Sequence, residues 1–194
     1  MRNGTGGHML LCPADANLVT YVHEPDRQND MTLPGPERAR TMIADFRTGQ
    51  SRPYLIMPVG WRATHESRSP DGERFYFHKK KVPGWVPAGI CSMKRDGGDW
   101  QTHLTSDYRL GHSMISADGR YIVSDVQKPG DNPLILVDLA KGSDRILCWP
   151  DSSVTGGHPK GAHVHPSFSP SSRYIVYTSD RTGTPQVYVV PVPR

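Results

Sequence analysis

The chain has 194 residues, 36% hydrophobic and 22% charged, which suits one soluble domain with a core of its own. Its net charge of +4 is scattered apart from one basic run, Lys79-Lys80-Lys81. Nucleic-acid binding calls for a contiguous basic stripe, so that run is expected to be a solvated strand end and the modest positive field to suit a polyanionic sugar. No stretch approaches the ~20 apolar residues of a membrane span. The N-terminus Met1-Arg2-Asn3-Gly4-Thr5-Gly6-Gly7 has no apolar core of the secretory type, and the expected location is the cytoplasm.

Four segments of the chain align with one another, in order. They are His8-Met-Leu-Leu-Cys12-Pro13-Ala-Asp15, His65-Glu-Ser-Arg-Ser69-Pro70-Asp71-Gly72, His112-Ser-Met-Ile-Ser116-Ala117-Asp118-Gly119, and His165-Pro-Ser-Phe-Ser169-Pro170-Ser-Ser. Successive histidines are 57, 47 and 53 residues apart, the size of a four-stranded propeller blade with its loops. After each turn comes a β-branched or aromatic run such as Arg74-Phe-Tyr-Phe77, Tyr121-Ile-Val-Ser124 and Tyr174-Ile-Val-Tyr-Thr178, as a buried strand demands. Asp71-Gly72 and Asp118-Gly119 supply the positive φ that a hairpin turn requires. A third strand is expected at Thr41–Asp45, Ala88–Met93, Leu134–Asp138 and Gln186–Val190. The 19 Gly and 18 Pro are dispersed, as turns between many short strands would place them, and no segment sustains a helical period.

The fold expected is therefore all-β: a single partial β-propeller domain over residues 1–194 with about four blades, at 7–57, 58–105, 106–157 and 158–194. Radial sheets need ring closure to protect their flanks, so these blades are expected to be part of a larger ring. Cys12, Cys91 and Cys148 are too widely and irregularly spaced for a zinc knuckle or a disulfide framework, and are expected to pack as small hydrophobes.

Equivalent residues of successive blades stand at one height around a propeller channel. His8, His65, His112 and His165 are thus expected to form a ring at one channel mouth. His163, two residues before His165 on the same strand, is expected to share its face. A His-x-His pair with a third histidine from a neighbouring blade suits a divalent transition metal with positions left open for substrate. The alternative is a structural histidine repeated in each blade, the favoured reading for His8. For His112, His163 and His165 the metal reading is favoured, since three imidazoles packed without an ion would leave nitrogens unsatisfied. His78 and His103 are off the repeat and expected to face solvent. His158 lies on a loop, with both readings open.

The motifs Thr64-His65-Glu66-Ser67, Val82-Pro83-Gly84-Trp85, Gly111-His112-Ser113-Met114-Ile115-Ser116 and His163-Val-His165-Pro166 resemble the oligogalacturonate lyase family of polysaccharide lyases. The resemblance runs over nearly the whole chain and matches about the C-terminal half of a typical member. It implies a seven-bladed ring and a bound Mn2+. It also implies His112, His163 and His165 as metal ligands, His65 as catalytic base, and Arg40 as the catalytic, substrate-binding arginine. The family's fourth ligand is a Gln three residues before the His-x-His pair; here that position is Lys160, whose ammonium has no lone pair for a metal and would instead bind a substrate carboxylate. Glu66 is expected to be structural.

What the resemblance implies for function is pectin degradation: a metal-dependent lyase cleaving short oligogalacturonides, or related uronate oligosaccharides, by β-elimination. The C5 proton of a uronate is α to a carboxylate and too weakly acidic for an unaided imidazole, hence a cation at that carboxylate. A neutral His65 has a pKa suited to taking the proton. The alternatives are a non-catalytic TolB-like propeller binding a protein or glycan, and an inactive truncated lyase.

Overall fold

The computed structural model describes residues 6–23, 33, 35–153 and 162–193. Lys160 and His158 fall outside them. Apart from one 3-10 turn at Gly35–Arg38, all regular structure among these residues is β. The first antiparallel sheet holds β1 (Gly6–Cys12), β2 (Asp15–His23), β3 (Thr41–Asp45) and β4 (Gln50–Leu55), in that order. The second holds β5 (Trp61–Arg68), β6 (Arg74–Lys81), β7 (Ala88–Lys94) and β8 (Gln101–Ser106). The third holds β9 (Leu110–Ile115), β10 (Tyr121–Val126), β11 (Leu134–Asp138) and β12 (Ser143–Cys148). The fourth has three strands: β13 (Ser167–Phe168), β14 (Tyr174–Ser179) and β15 (Gln186–Pro191). Each sheet is a meander of neighbours in sequence, as blades are. No helix among the described residues is long and apolar enough to cross a membrane.

In the second and third sheets the hairpin closing the first two strands is fixed by a Ser-x-Asp-Gly sequence. Ser69 Oγ donates to Asp71 Oδ1 at 2.5 Å and accepts from the Arg74 N–H at 2.9 Å. Ser116 repeats both bonds with Asp118 and Tyr121, at 2.6 and 2.9 Å. Gly72 and Gly119 take φ of 74° and 71°, a conformation that a Cβ would strain.

The chain divides into two compact units, Met1–Trp85 with Cys91–Gln101, and Val86–Ile90 with Thr102–Arg194. In the first, Phe75 and Phe77 are wholly buried with Ile43, Leu55, Ala63, Cys91 and Met93, and Tyr54 meets Phe75 edge-on at 5.1 Å. In the second, Val123, Leu134 and Leu136 pack with Val164, Phe168, Ile175 and Tyr177. Each fully buried side chain of this size contributes about 1.5–3 kcal/mol relative to an exposed one. Every residue of β10 is buried, whereas the β12 side chains are mostly exposed, so the run Tyr121–Ser124 occupies a strand covered on both faces. Cys12 and Cys91 are buried free thiols and Cys148 is half-buried, as expected of small hydrophobes.

Two expectations are overturned. His78 is 1% exposed instead of facing solvent, because it sits on β6 inside a sheet covered on both faces. The lysine run is no solvated strand end either: Lys80 is 2% exposed, while Lys79 and Lys81 lie over the Trp61 ring. Strand alternation sends the middle lysine to the opposite face from its neighbours.

Candidate functional site

The repeated histidine marks a break in the innermost strand of each four-stranded blade. The β1–β2 register slips between Gly7 and Met9, so His8 is the inserted residue. In β5–β6 it slips between Thr64 and Ser67, bracketing His65 and Glu66. In β9–β10 it slips between Ser124 and Val126, leaving Gly111 and His112 opposite Asp125. A bulge re-aims a side chain out of the strand's alternation. His8, His65 and His165 have φ of 54°, 53° and 44°, the left-handed region in which histidine is over-represented among non-glycine residues. Three of the four repeat histidines thus share a left-handed backbone conformation, and His112 does not.

Three of the histidines come together in the second unit. His112 stands in β9, while His163 and His165 precede β13 in a segment outside any regular strand, contrary to the strand expected there; the positive φ of His165 is incompatible with a continuous ladder. Their rings nevertheless share one side. His112 and His165 stack with centroids 3.4 Å apart, and His163 lies 5.6 Å from His112 and 6.1 Å from His165. One ring nitrogen from each lies within 4.8 Å of the others. Two nitrogens bound to one ion at about 2.1 Å are at most roughly 4.2 Å apart, so an ion here would draw the three rings closer together. Three imidazoles are borderline donors that suit divalent transition metals such as zinc, iron, nickel or copper, and leave further coordination positions for water or substrate.

Asp125, which the sequence reading did not single out, holds this arrangement. Its carboxylate is 2% exposed. Oδ1 accepts the backbone N–H of His112 at 2.5 Å, and Oδ2 accepts that of His165 at 3.1 Å. Oδ2 also stands 3.3 Å from His112 Nδ1. An ionised carboxylate there favours a proton on Nδ1, leaving Nε2 with its lone pair for a metal. One buried carboxylate therefore ties the His112 and His165 segments together and stands beside a ring nitrogen of His112. Partial burial of its ring, then the neighbouring His112, holds His165 below the ordinary imidazole range, against an opposing pull from Asp125. The neutral, metal-binding form is favoured.

The other candidates lie in the first unit. Arg40 precedes β3, and its side chain is 11% exposed. Its Nη1 donates to Glu66 Oε1 and to the Ala63 carbonyl at 3.2 Å. Glu66, 3% exposed, also accepts from Thr41 Oγ1 at 3.2 Å. Glu66 thus fixes Arg40 against β5, the strand that carries His65, in keeping with a structural role. The His65 ring is 5.2 Å from that of His78.

No family model matches the chain. A curated oligogalacturonide lyase of Pectobacterium atrosepticum is 25% identical over 205 residues, an alignment covering 96% of this chain and 50% of the relative. The solved structure of an oligogalacturonate lyase in complex with manganese superposes with a TM-score of 0.80 at 25% identity, over 97% of this chain and 49% of its own. TolB from Acinetobacter baumannii superposes with a TM-score of 0.66 at 16% identity, covering 97% of this chain and 41% of its own, a likeness of fold alone. The four antiparallel sheets are β-propeller blades, and the chain is similar to oligogalacturonate lyases along nearly all of its length. It spans about half the length of the curated relative it matches.

Proposed function

We propose that this chain carries the metal centre and the base of a metal-dependent lyase that cleaves short oligogalacturonides by β-elimination. The observation that carries this reading is the convergence of His112, His163 and His165, whose ligand atoms lie within 4.8 Å of one another around a carboxylate-held backbone. The likeness to a lyase solved with manganese supports Mn2+ as the ion. Bound there, a divalent cation would polarise a uronate carboxylate and stabilise the negative charge that grows on it as the C5 proton leaves.

His65 is the proposed base, on its resemblance motif Thr64-His65-Glu66-Ser67. As a neutral imidazole it accepts the C5 proton, and the C5–H electron pair forms the C4–C5 double bond as the C4 oxygen departs. Arg40 is the proposed partner of the substrate carboxylate, its guanidinium oriented by Glu66. Lys160 is assigned, from its place before the His-x-His pair, to a second substrate carboxylate.

The test is an ultraviolet assay for the unsaturated uronate product, using trigalacturonate and purified protein with added Mn2+. Product formation that is abolished by a chelator and by His65→Ala supports the reading. Absence of product with Mn2+ bound would overturn it.

A further inference from the structure

The β5–β6 hairpin carries, at the end away from its Asp71-Gly72 turn, a cluster that the proposed chemistry leaves unused. Trp61 opens β5 directly across from Lys81, the last residue of β6. Lys79, two residues earlier, points to the same face. The two ammonium groups stand 4.2 Å (Lys79) and 5.1 Å (Lys81) from the centre of the Trp61 ring. Lys81 Nζ lies against the preceding turn, where a Cβ on residue 60 would come within 3.1 Å of it; Gly60, at φ +81°, leaves the room. On the opposite face Trp85 repeats the arrangement, with Arg62 at 5.4 Å and Lys80 at 5.5 Å from its ring.

Two like charges held over one indole repel each other. The ring quadrupole returns only a weak attraction per cation at an exposed site. A carboxylate at the ring edge would replace both contacts with charge-assisted hydrogen bonds, which are about twice as strong as neutral ones. Lys81 is exposed and Lys79 and Trp61 are partly exposed, so the cluster is within reach of solvent. A ligand that matches it has a flat apolar face for the indole and an anion beside that face. A uronate pyranose has both, in its axial C–H groups and its C5 carboxylate.

We propose that Trp61, Lys79 and Lys81 form a subsite for one uronate residue of an acidic oligosaccharide, with the pyranose on the indole and the carboxylate between the two ammonium groups. In its choice of uronate this rests on the lyase reading; the cluster itself does not. It also gives the basic run a role that neither nucleic acid nor plain solvation supplied.

The test is calorimetric titration of the full chain with trigalacturonate, in a chelator so that no turnover occurs, at low and high salt. Wild-type protein is expected to bind with salt-sensitive affinity and to ignore neutral galactotriose. Lys79→Gln/Lys81→Gln and Trp61→Ala are each expected to weaken binding about tenfold or more (about 1.4 kcal/mol). Lys81→Gln, at an exposed position, is the second variant should the double one fold poorly, and is expected to weaken binding severalfold. Unchanged affinity in the lysine variants, no binding by wild-type protein, or binding indifferent to Trp61 would each overturn the subsite. The lyase reading fails separately: lysine-dependent binding with no product after Mn2+ addition leaves the subsite standing, and product with lysine-independent binding does the reverse.

Discussion

Gly111 and Asp125 are in such close register that a Cβ on residue 111 would stand 1.9 Å from Asp125 Oδ1. The absent side chain is the space in which the carboxylate reaches the His112 backbone. Gly111→Ala is therefore expected to push Asp125 off its three contacts, costing about 1–3 kcal/mol of stability by overpacking. It should also weaken metal binding, although residue 111 is no ligand. Thermal unfolding and Mn2+ titration check the two effects separately; a variant with wild-type metal affinity would show that Asp125 does not organise the site.

Asp125→Asn keeps the volume and removes the charge. One amide oxygen cannot replace two carboxylate oxygens, and the amide NH2 cannot accept from either backbone N–H. Metal affinity is expected to fall about 10–100-fold, the usual cost of losing the outer partner of a ligating histidine. Calorimetric Mn2+ titration measures it, with circular dichroism to show that the blades persist.

Glu66→Ala removes the carboxylate that pairs with Arg40, a side chain only 11% exposed. Such a change typically costs about 3–5 kcal/mol. Chemical denaturation should show a lowered midpoint, with a larger loss than Arg40→Met, which removes the cation and keeps much of the volume. Equal losses would mean that the pair contributes packing alone.

The blades were legible because their signals are local. Ser-Pro-Asp-Gly and Ser-Ala-Asp-Gly code for a hairpin held by a serine hydroxyl, and the β-branched runs after them became β6, β10 and β14. The third strands at Thr41–Asp45 and Leu134–Asp138 fell at the expected residues. The clustering of His112, His163 and His165 was legible through the repeat and the His-x-His spacing. Less visible was the backbone at the repeat, since the left-handed φ of His8, His65 and His165 leaves no mark of its own beyond tolerance for histidine. Asp125 did carry a mark: it stands six residues after the turn glycine Gly119, as buried His78 does after Gly72. A polar residue recurring inside an apolar run is a buried group with a designated partner. Lys80 was misplaced because a run of like charges suggests solvent, whereas strand alternation alone decides which of the three goes inward.

Lys160 stands where the resemblance places a glutamine ligand. Lys160→Gln exchanges an ammonium for an amide oxygen that can coordinate. Mn2+ affinity is expected to rise about tenfold or more, roughly 1.4 kcal/mol. Affinity for trigalacturonate should fall in the same variant if the ammonium serves a substrate carboxylate. An unchanged Mn2+ affinity would argue that water completes the coordination in both proteins.

The most direct test of the metal centre is the unfolding temperature of the chain as Mn2+ is added, in wild-type protein and in His163→Ala/His165→Ala. An ion that binds only the folded state adds about 2.7 kcal/mol of stability at a hundred times its dissociation constant. A concentration-dependent rise in the wild type, absent from the double variant and reversed by chelator, is the expected result. Equal responses in the two proteins, or no response in either, would contradict the assignment of His112, His163 and His165 as the metal ligands.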